Sequence, residues 1–284
     1  ILHVASFCTL DCSYCILQTY FHPPLLQFFV NRKDLHAELD ECFRRTRITR
    51  IGTGEFTDSL IWEPWTDLTE DLVTRFASQK KAVLELKTKT ANIQRLKTIE
   101  HRRKTIVSWS LNTPYVMKRE ERRTASLDAR LAAAEQCQRW GYPLAFHFDP
   151  MVIYPDCEPD YRSVVDKLFK SIDPANIAWI SLGTFRFMPP LKAVITRRFP
   201  SSKIAYGEFI TGLDNKMRYF KPLRIGLYQR MVDWIRKSAP DVTIYFCMED
   251  DEVWRKAIGW IPAPDGGLGR MLDKSAAATC DLQP

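Results

Sequence analysis

The chain has 284 residues, 45% of them hydrophobic and 26% charged, with a formal net charge of +7 and eight cysteines. This is ordinary globular composition, which excludes a disordered, collagen-like or low-complexity chain, and the length suits one or two domains or a single barrel of about 250 residues. The longest apolar run, Leu25 to Val30, is far shorter than the roughly 18 residues of a membrane span, and no leader pattern is present, so a cytoplasmic protein without a membrane partner is expected.

In chain order, apolar β-rich runs alternate with helical patterns. The chain begins at Ile1, already inside such a run rather than at methionine, which reads as a fragment or a trimmed chain. Strands are predicted near 1–6, 48–53, 82–88, 105–111, 143–149 and 177–182, and helices near 33–45, 69–79, 92–99, 125–140 and 159–171. Asp34, Asp67 or Thr69, and Ser126 supply helix start signals, and Gly141 a stop. Short strands separated by helices imply βα units on a parallel sheet with right-handed crossovers. The expected fold is therefore α/β, a partial (β/α)6 TIM-type barrel over residues 1–185. A C-terminal α+β extension over 186–262 and a loose Pro/Gly/Ala-rich tail over 263–284 follow. Within the extension, helices are expected at 189–198, 223–238 and 250–258, a strand at 242–247, and irregular chain at 200–222.

The first predicted strand runs into Cys8, Cys12 and Cys15, spaced C-x3-C-x2-C, while Cys42, Cys137, Cys157, Cys247 and Cys280 are scattered. Clustered cysteines without a secretory signal favour a metal over disulfides. A tetrahedral zinc site normally takes four protein ligands, often as paired C-x2-C knuckles. No second knuckle exists, and the histidines at 3, 22, 36, 101 and 147 are isolated. Three thiolates on one loop suit an iron–sulfur cubane with one iron left open to a cofactor. A structural zinc completed by a distant residue is the alternative.

This spacing after a first strand, with Tyr14 before the last cysteine, resembles the radical S-adenosylmethionine superfamily. The continuation Leu17-Gln18-Thr19-Tyr20-Phe21-His22-Pro23-Pro24 is similar to the spore photoproduct lyase family. Thr88-Lys89, Ser110-x-Asn112, Tyr115 with Val116 and Lys118, and the runs SLDARLAAA and GYPLAF keep the family's order, over about residues 3–250 in all. The resemblance implies a [4Fe-4S] cluster on Cys8, Cys12 and Cys15, and S-adenosyl-L-methionine bound at the fourth iron. It implies a lyase in which reductive cleavage gives methionine and a 5′-deoxyadenosyl radical that abstracts hydrogen from a thymine-dimer-type DNA lesion. It places Tyr14 at the adenine.

The other expected site residues lie at strand ends, where parallel barrels place their chemistry. Gly52 and Gly54 permit close backbone approach, and Glu55 can accept from an ammonium group, as in the superfamily's Gly-Gly-Glu motif. Lys87 and Lys89 share a face, with Lys89 nearer the mouth and placed to pair with a carboxylate. Ser108, Ser110 and Asn112 form one polar row, of which Ser110 and Asn112 can hydrogen-bond a ribose. His147 and Asp149 share a face, and Arg186 follows the sixth strand. Cofactor contacts are thus expected from Tyr14, Gly54, Glu55, Lys89, Ser110, Asn112 and Arg186, and Tyr14, Tyr228 and His147 are candidates for moving hydrogen.

The sequence also departs from the family pattern. Family members carry a cysteine followed by Thr-Ser-Asp after the second strand, and that thiol returns a hydrogen atom to the repaired thymine. Here Glu55, Phe56, Thr57 and Asp58 stand in that place. Ile16 stands where the family has a tyrosine, and the C-terminal lesion-contacting Arg-Tyr stretch reads KPLRIGLYQ, with Arg224 and Tyr228 displaced.

Basic runs occur at Arg44–Arg50, at Arg102–Lys104, at Lys118–Arg123 and at Arg197–Arg198. Phosphate binding needs several cations on one face. Each run reads first as a solvated face, and Glu120 and Glu121 split one of them. Arg218, Tyr219 and Arg224 interleave charge with an aromatic, which suits unstacked bases. The expected partners are a DNA or nucleotide substrate and an electron donor such as a flavodoxin or ferredoxin, with the protein a monomer. The alternatives are a radical enzyme on a protein or small molecule, and a nucleic-acid-binding protein with a structural cluster.

Overall fold

A computed structural model describes residues 1–283. The chain opens with β1 (Ala5–Ser6), α1 (Leu17–Tyr20), β2 (Gln27–Phe28) and α2 (Arg32–Phe43). A regular alternation follows: β3 (Thr49–Gly52), α3 (Leu68–Ala77), β4 (Ala82–Thr88), β5 (Thr105–Ser110), α4 (Pro114–Glu120), α5 (Leu127–Arg139), β6 (Leu144–Met151), α6 (Cys157–Ser171) and β7 (Ile177–Thr184). Then come β8 (Arg186–Phe187), α7 (Pro189–Arg198), β9 (Phe209–Thr211), β10 (Met217–Tyr219) and α8 (Lys221–Ser238). The chain ends with β11 (Ile244–Phe246), α9 (Asp251–Ile258) and α10 (Gly267–Thr279).

Six of these strands form one curled parallel sheet in the order β11–β7–β6–β5–β4–β3, a half-barrel. The expected partial barrel is present, with one exchange of strands. The first apolar run does not join the parallel sheet. β1 pairs antiparallel with β2, and only Leu2 N–H reaches β3, donating to the Gly52 carbonyl at 2.9 Å. The sixth strand is β11, from the region expected to be a separate extension. Residue 185 is therefore not a packing boundary. The stretch expected to be irregular, 200–222, contains the β9–β10 hairpin, and β10 also pairs with β8.

Strand alternation divides the sheet into two faces. Leu84 and Leu86, Val107 and Trp109, Leu144 and Phe146, Ile180 and Leu182, and Ile244 and Phe246 face outward and are buried in the main core. Leu72, Val73 and Phe76 of α3, Leu131 and Ala134 of α5, Val164 of α6 and Met231 of α8 cover them. The register puts Gly52 with Glu85, Lys87 with Ser108, Ser110 with His147, and His147 with Ser181 on the other, concave face. The concave face is apolar only at its lower end, where Val83, Ile106, Ala145 and Trp179 pack against Leu272, Ala276 and Cys280.

The expected loose tail is thus α10, a floor under the half-barrel. Its small residues allow close packing. Lys104 Nζ donates to the Cys280 carbonyl at 2.7 Å, and Arg50 pairs with Asp273 at 2.7 Å.

Above the floor lies a polar layer. His147 Nε2 and Glu85 Oε1 are 2.8 Å apart, and His147 is buried. Burial opposes ionisation of Glu85, but His147, Lys87 and Ser108 outweigh it and draw the carboxyl from 4.5 down to about 2. Burial depresses His147 below 6.5, so the ring is neutral and donates to the carboxylate. For both groups the folded value lies below the unfolded one. His147 therefore contributes stability that falls as pH drops through 6.5, and Glu85 stability that falls from 4.5 toward 2. In urea titrations His147→Gln is expected to flatten the stability profile between pH 7 and 5, and an unchanged slope would refute this assignment.

Candidate cluster and cofactor site

The cysteine loop leaves β1 at the mouth of the half-barrel. Phe7 and Asp11 hold positive φ values of 67° and 31°, which non-glycine residues adopt only when their surroundings impose it. Cys8, Cys12 and Cys15 all line one cavity of about 180 Å3. The opposite wall is built from Gly54, Glu55, Asp58, Lys87, Lys89 and Ser110, and Tyr14 and Gln18 complete it. The loop is partly self-supporting, because the Gln18 amide donates to the Ser13 carbonyl at 3.0 Å and to the Cys12 carbonyl at 3.2 Å.

Although burial outweighs it, Lys89 draws all three thiols down. Burial, followed by Asp58, pushes the Cys8 thiol up to about 12, and burial raises Cys12 and Cys15 as well. Buried thiols of this kind are inert on their own and become anionic ligands when metal supplies the positive charge. Three soft donors on one loop, all facing one cavity, fit a cubane cluster. Among the described residues no His, Cys, Asp or Glu group converges on a single metal ion.

The wall opposite the thiols is tied to the strand ends. Asp58 accepts from Lys89 N–H at 2.7 Å, Thr88 Oγ1 at 2.8 Å and Leu60 N–H at 3.0 Å. Ser59 Oγ accepts from Lys87 N–H at 3.0 Å. This brings the 53–59 loop so close to β4 that a Cβ at Gly54 would lie 3.1 Å from the Lys87 Cβ. A side chain at 54 would therefore crowd the cavity wall, which glycine avoids. Glu55 projects from that loop, exposed, and lines the cavity.

Two carboxylates brace the loop from behind. Ser13 N–H donates to the Glu120 carbonyl at 2.8 Å, and its hydroxyl bonds the Glu120 carboxylate, which also accepts from Ser202 Oγ at 2.7 Å. Tyr14 donates to Glu121 at 2.5 Å, and Glu121 pairs with Arg130, whose side chain is fully buried. Arg130 also donates to the Ser110 carbonyl at 2.7 Å. Burial opposes the Glu121 charge, but Arg130 and Lys89 hold its carboxyl below the usual range, while burial and Glu121 keep the Tyr14 phenol neutral. Lys89 Nζ lies 5.8 Å from the Tyr14 ring centroid. Both glutamates turn inward because α4 ends at Glu120 and Glu121 is extended, with φ −111° and ψ 97°.

The structure thus brings together Cys8, Cys12, Cys15, Tyr14, Gly54, Glu55, Lys89 and Ser110. The other expected residues lie elsewhere. Asn112 is buried and spent on the framework: its carbonyl accepts from Tyr161 at 2.9 Å and its amide donates to the Pro150 carbonyl at 2.7 Å. Arg186 pairs bidentately with Asp149 at 3.0 Å and donates to Cys247 Sγ at 3.0 Å. Gly183 leaves room for that pair, since a Cβ there would fall 2.7 Å from Asp149. His147 belongs to the polar layer described above. Tyr228 is buried on the outer face, outside the cavity lining, donating to Glu249 at 2.9 Å and accepting from Thr184 N–H.

The expected base-stacking trio is also structural. Arg218 pairs with Asp214 at 2.6 Å, and Arg224 with Glu249 at 3.1 Å. Tyr219 Oη accepts from Ile153 N–H at 3.2 Å. Sequence reasoning missed Asp58, Glu121 and Arg130. Glu121 was visible only as a charge splitting a basic run, and Arg130 only as part of the run SLDARLAAA.

Fold and site together define a class, α/β half-barrel proteins that carry a three-thiol loop at the mouth of the sheet. Residues 1–230 match the family model described as spore photoproduct lyase. The chain belongs to that family, as the resemblance in its cysteine loop implied. The spore photoproduct lyase of Bacillus subtilis (strain 168) is 28% identical over 228 residues, 78% of this chain and 65% of the relative. That of Clostridium acetobutylicum is 26% identical over 223 residues, 78% of this chain and 64% of the relative. The chain therefore spans about 65% of the length of the curated relatives it matches. A spore photoproduct lyase complexed with dinucleoside spore photoproduct shares the fold with a TM-score of 0.81 at 26% identity, over 87% of this chain and 76% of that one. Streptococcus suis SuiB bound to S-adenosylmethionine shares the fold more distantly, with a TM-score of 0.53 at 15% identity over 90% of this chain and 51% of that one.

Proposed function

We propose that this protein is a radical S-adenosylmethionine lyase acting on a thymine photoproduct in DNA. The observation that carries the proposal is one cavity with three thiols on one wall and Glu55, Lys89 and Ser110 on the other. Cys8, Cys12 and Cys15 would hold a [4Fe-4S] cluster. When bound, that cluster would supply the electron that cleaves S-adenosyl-L-methionine and so starts hydrogen abstraction from the substrate.

The chain's own residues bind and orient. Glu55 accepts from the amino group of the cofactor's methionine portion, and Lys89 pairs with its carboxylate. Ser110 hydrogen-bonds the ribose, and the Tyr14 ring, fixed by Glu121, faces the adenine. Leu10, Ile61 and Trp62 pack against the cysteines and exclude water from the loop. The substrate class rests on relatives named spore photoproduct lyase and on a solved relative complexed with dinucleoside spore photoproduct. A one-electron carrier such as a flavodoxin or ferredoxin and a monomeric cytoplasmic enzyme complete the reading.

The family pattern has a hydrogen-returning thiol where this chain has Glu55. Reduced anaerobically with dithionite, S-adenosylmethionine and UV-irradiated DNA, the protein is therefore expected to form 5′-deoxyadenosine in excess over lost lesion. Stoichiometric repair would refute the uncoupling. Absence of 5′-deoxyadenosine from a chain loaded with about four irons would refute the enzyme. Salt-dependent DNA binding alone would then leave a binding protein with a structural cluster.

A further inference from the structure

Residues 114–125, which contain α4, and residues 188–206, which contain α7, hold eight lysines and arginines against two acids, Glu120 and Glu121. Both acids are buried behind the cysteine loop, so the outward side of these segments is purely cationic. Most of the chain's net charge of +7 resides here. The two segments form one surface, since Val116 of α4 shares a core with Leu191 and Ile195 of α7 and with Ile204 beyond it. Lys118, Arg119, Arg123, Lys192, Arg197 and Lys203 are all exposed. No carboxylate pairs with any of the six among the described residues, whereas Lys167, Lys221, Arg230 and Lys256 elsewhere on the surface all have acidic partners.

Aromatic rings are set among these cations. Tyr206 is 55% exposed, with Lys192 and Lys203 Nζ at 5.1 and 5.4 Å from its centroid. Tyr115 is 44% exposed, lies flat on Tyr154 and carries Arg119 at 5.0 Å. Exposed rings flanked by unpaired cations combine a face for a stacked base with charge for the adjoining phosphate. The surface also adjoins the candidate cavity. Arg198 at the end of α7 pairs with Asp11 of the cysteine loop at 2.8 Å, and Ser202 shares Glu120 with Ser13.

We propose that the α4–α7 surface docks single-stranded or locally opened nucleic acid, gripping phosphates through Lys118, Arg119, Lys192 and Lys203 and stacking bases on Tyr206 and Tyr115. The proposal rests on the reading above that the substrate is DNA, and it assigns where the strand flanking the lesion runs.

The test is fluorescence anisotropy of the full chain with a labelled oligodeoxythymidylate of about 16 nucleotides, a length within known single-strand site sizes, from 50 to 200 mM salt. Lys192→Glu/Lys203→Glu is expected to weaken binding and to lower the log–log salt slope by about 1.4, at roughly 0.7 per phosphate contact. Tyr206→Ala is expected to weaken binding roughly five- to hundredfold with the slope intact. Lys33→Glu, which reverses one exposed charge on α2, is the control and leaves binding unaltered. Cluster absorption per chain checks that each variant folds.

An unchanged slope in the lysine pair, or an equal loss with Lys33→Glu, overturns the proposal. So do variants that bind the oligonucleotide normally but turn over slowly with reduced flavodoxin and not with dithionite, which would make this a carrier-docking face. Binding is read without cofactor turnover. A chain that makes no 5′-deoxyadenosine yet loses affinity in these variants overturns the lyase reading and upholds the surface.

Discussion

Cys12→Ala is expected to abolish S-adenosylmethionine cleavage while leaving the protein folded. Cys12 is buried beside Leu10 and Ile61 in a small satellite of the core, and its Sγ reaches only the Leu10 carbonyl, at 3.5 Å. The substitution removes one sulfur from a site whose floor and walls are set by other residues. The structural loss is small, near the low end of the ~0.5–3 kcal/mol typical of single substitutions. The chemical loss is large, because a three-thiol loop has no spare ligand. Losing an outer partner of a metal ligand already costs roughly 10–100-fold, so losing the ligand itself should take 5′-deoxyadenosine formation below detection. The measurement is iron and sulfide per chain with the visible absorption of the reconstituted protein, beside a far-UV dichroism spectrum. Cys280→Ala is the contrast, since Cys280 is buried under α10 far from the loop, and its loss affects stability and not iron. Normal cleavage by Cys12→Ala would refute the ligand assignment.

The second large effect is on stability. Arg130→Met is expected to destabilise the fold by about 3–5 kcal/mol, the usual result of removing one partner of a buried ion pair. Both side chains of the Arg130–Glu121 pair are essentially inaccessible to solvent. The substitution strands the Glu121 carboxylate and leaves the Ser110 and Ala125 carbonyls without their side-chain donor. For a chain of this size that corresponds to a fall in Tm of roughly 10 °C. Arg130→Met/Glu121→Gln should recover part of the loss, because the stranded charge is gone. A fall in Tm no larger than that of Arg139→Met, which breaks an exposed pair at the end of the same helix, would refute this account. Glu121 also fixes the Tyr14 ring, so the single variant should raise the KM for S-adenosylmethionine as well.

The cysteine loop could be read from the sequence because everything it needs is local. Three thiols, Tyr14 and the start of α1 fall within a dozen residues. Gly54, Glu55, Lys89 and Ser110 were legible for a related reason, since strand parity and strand ends dictate what meets at a barrel mouth. Asn112, Tyr228, Arg186 and Arg224 fall outside the cavity lining, held by partners distant in sequence. Tyr161, Glu249 and Asp149 claim their polar groups before any ligand can. No local pattern announces such pairings. The sixth strand was predicted, at 242–247, but its place in the parallel sheet was hidden for the same reason. Ile244–Phe246 is three residues long and reads as part of an extension until β7 is seen to lack a neighbour.

One consequence follows from where β11 and α10 lie. The match to the spore photoproduct lyase family model ends at residue 230, within α8. The edge strand of the sheet and the helix beneath it both come later in the chain. A fragment cut at residue 230 would end in half a helix, expose the hydrogen-bonding edge of β7 and open Trp179 and Ile106 to water. In this chain the boundary of the family-model match and the boundary of the packed core are different places, and the last fifth of the molecule is what closes the sheet.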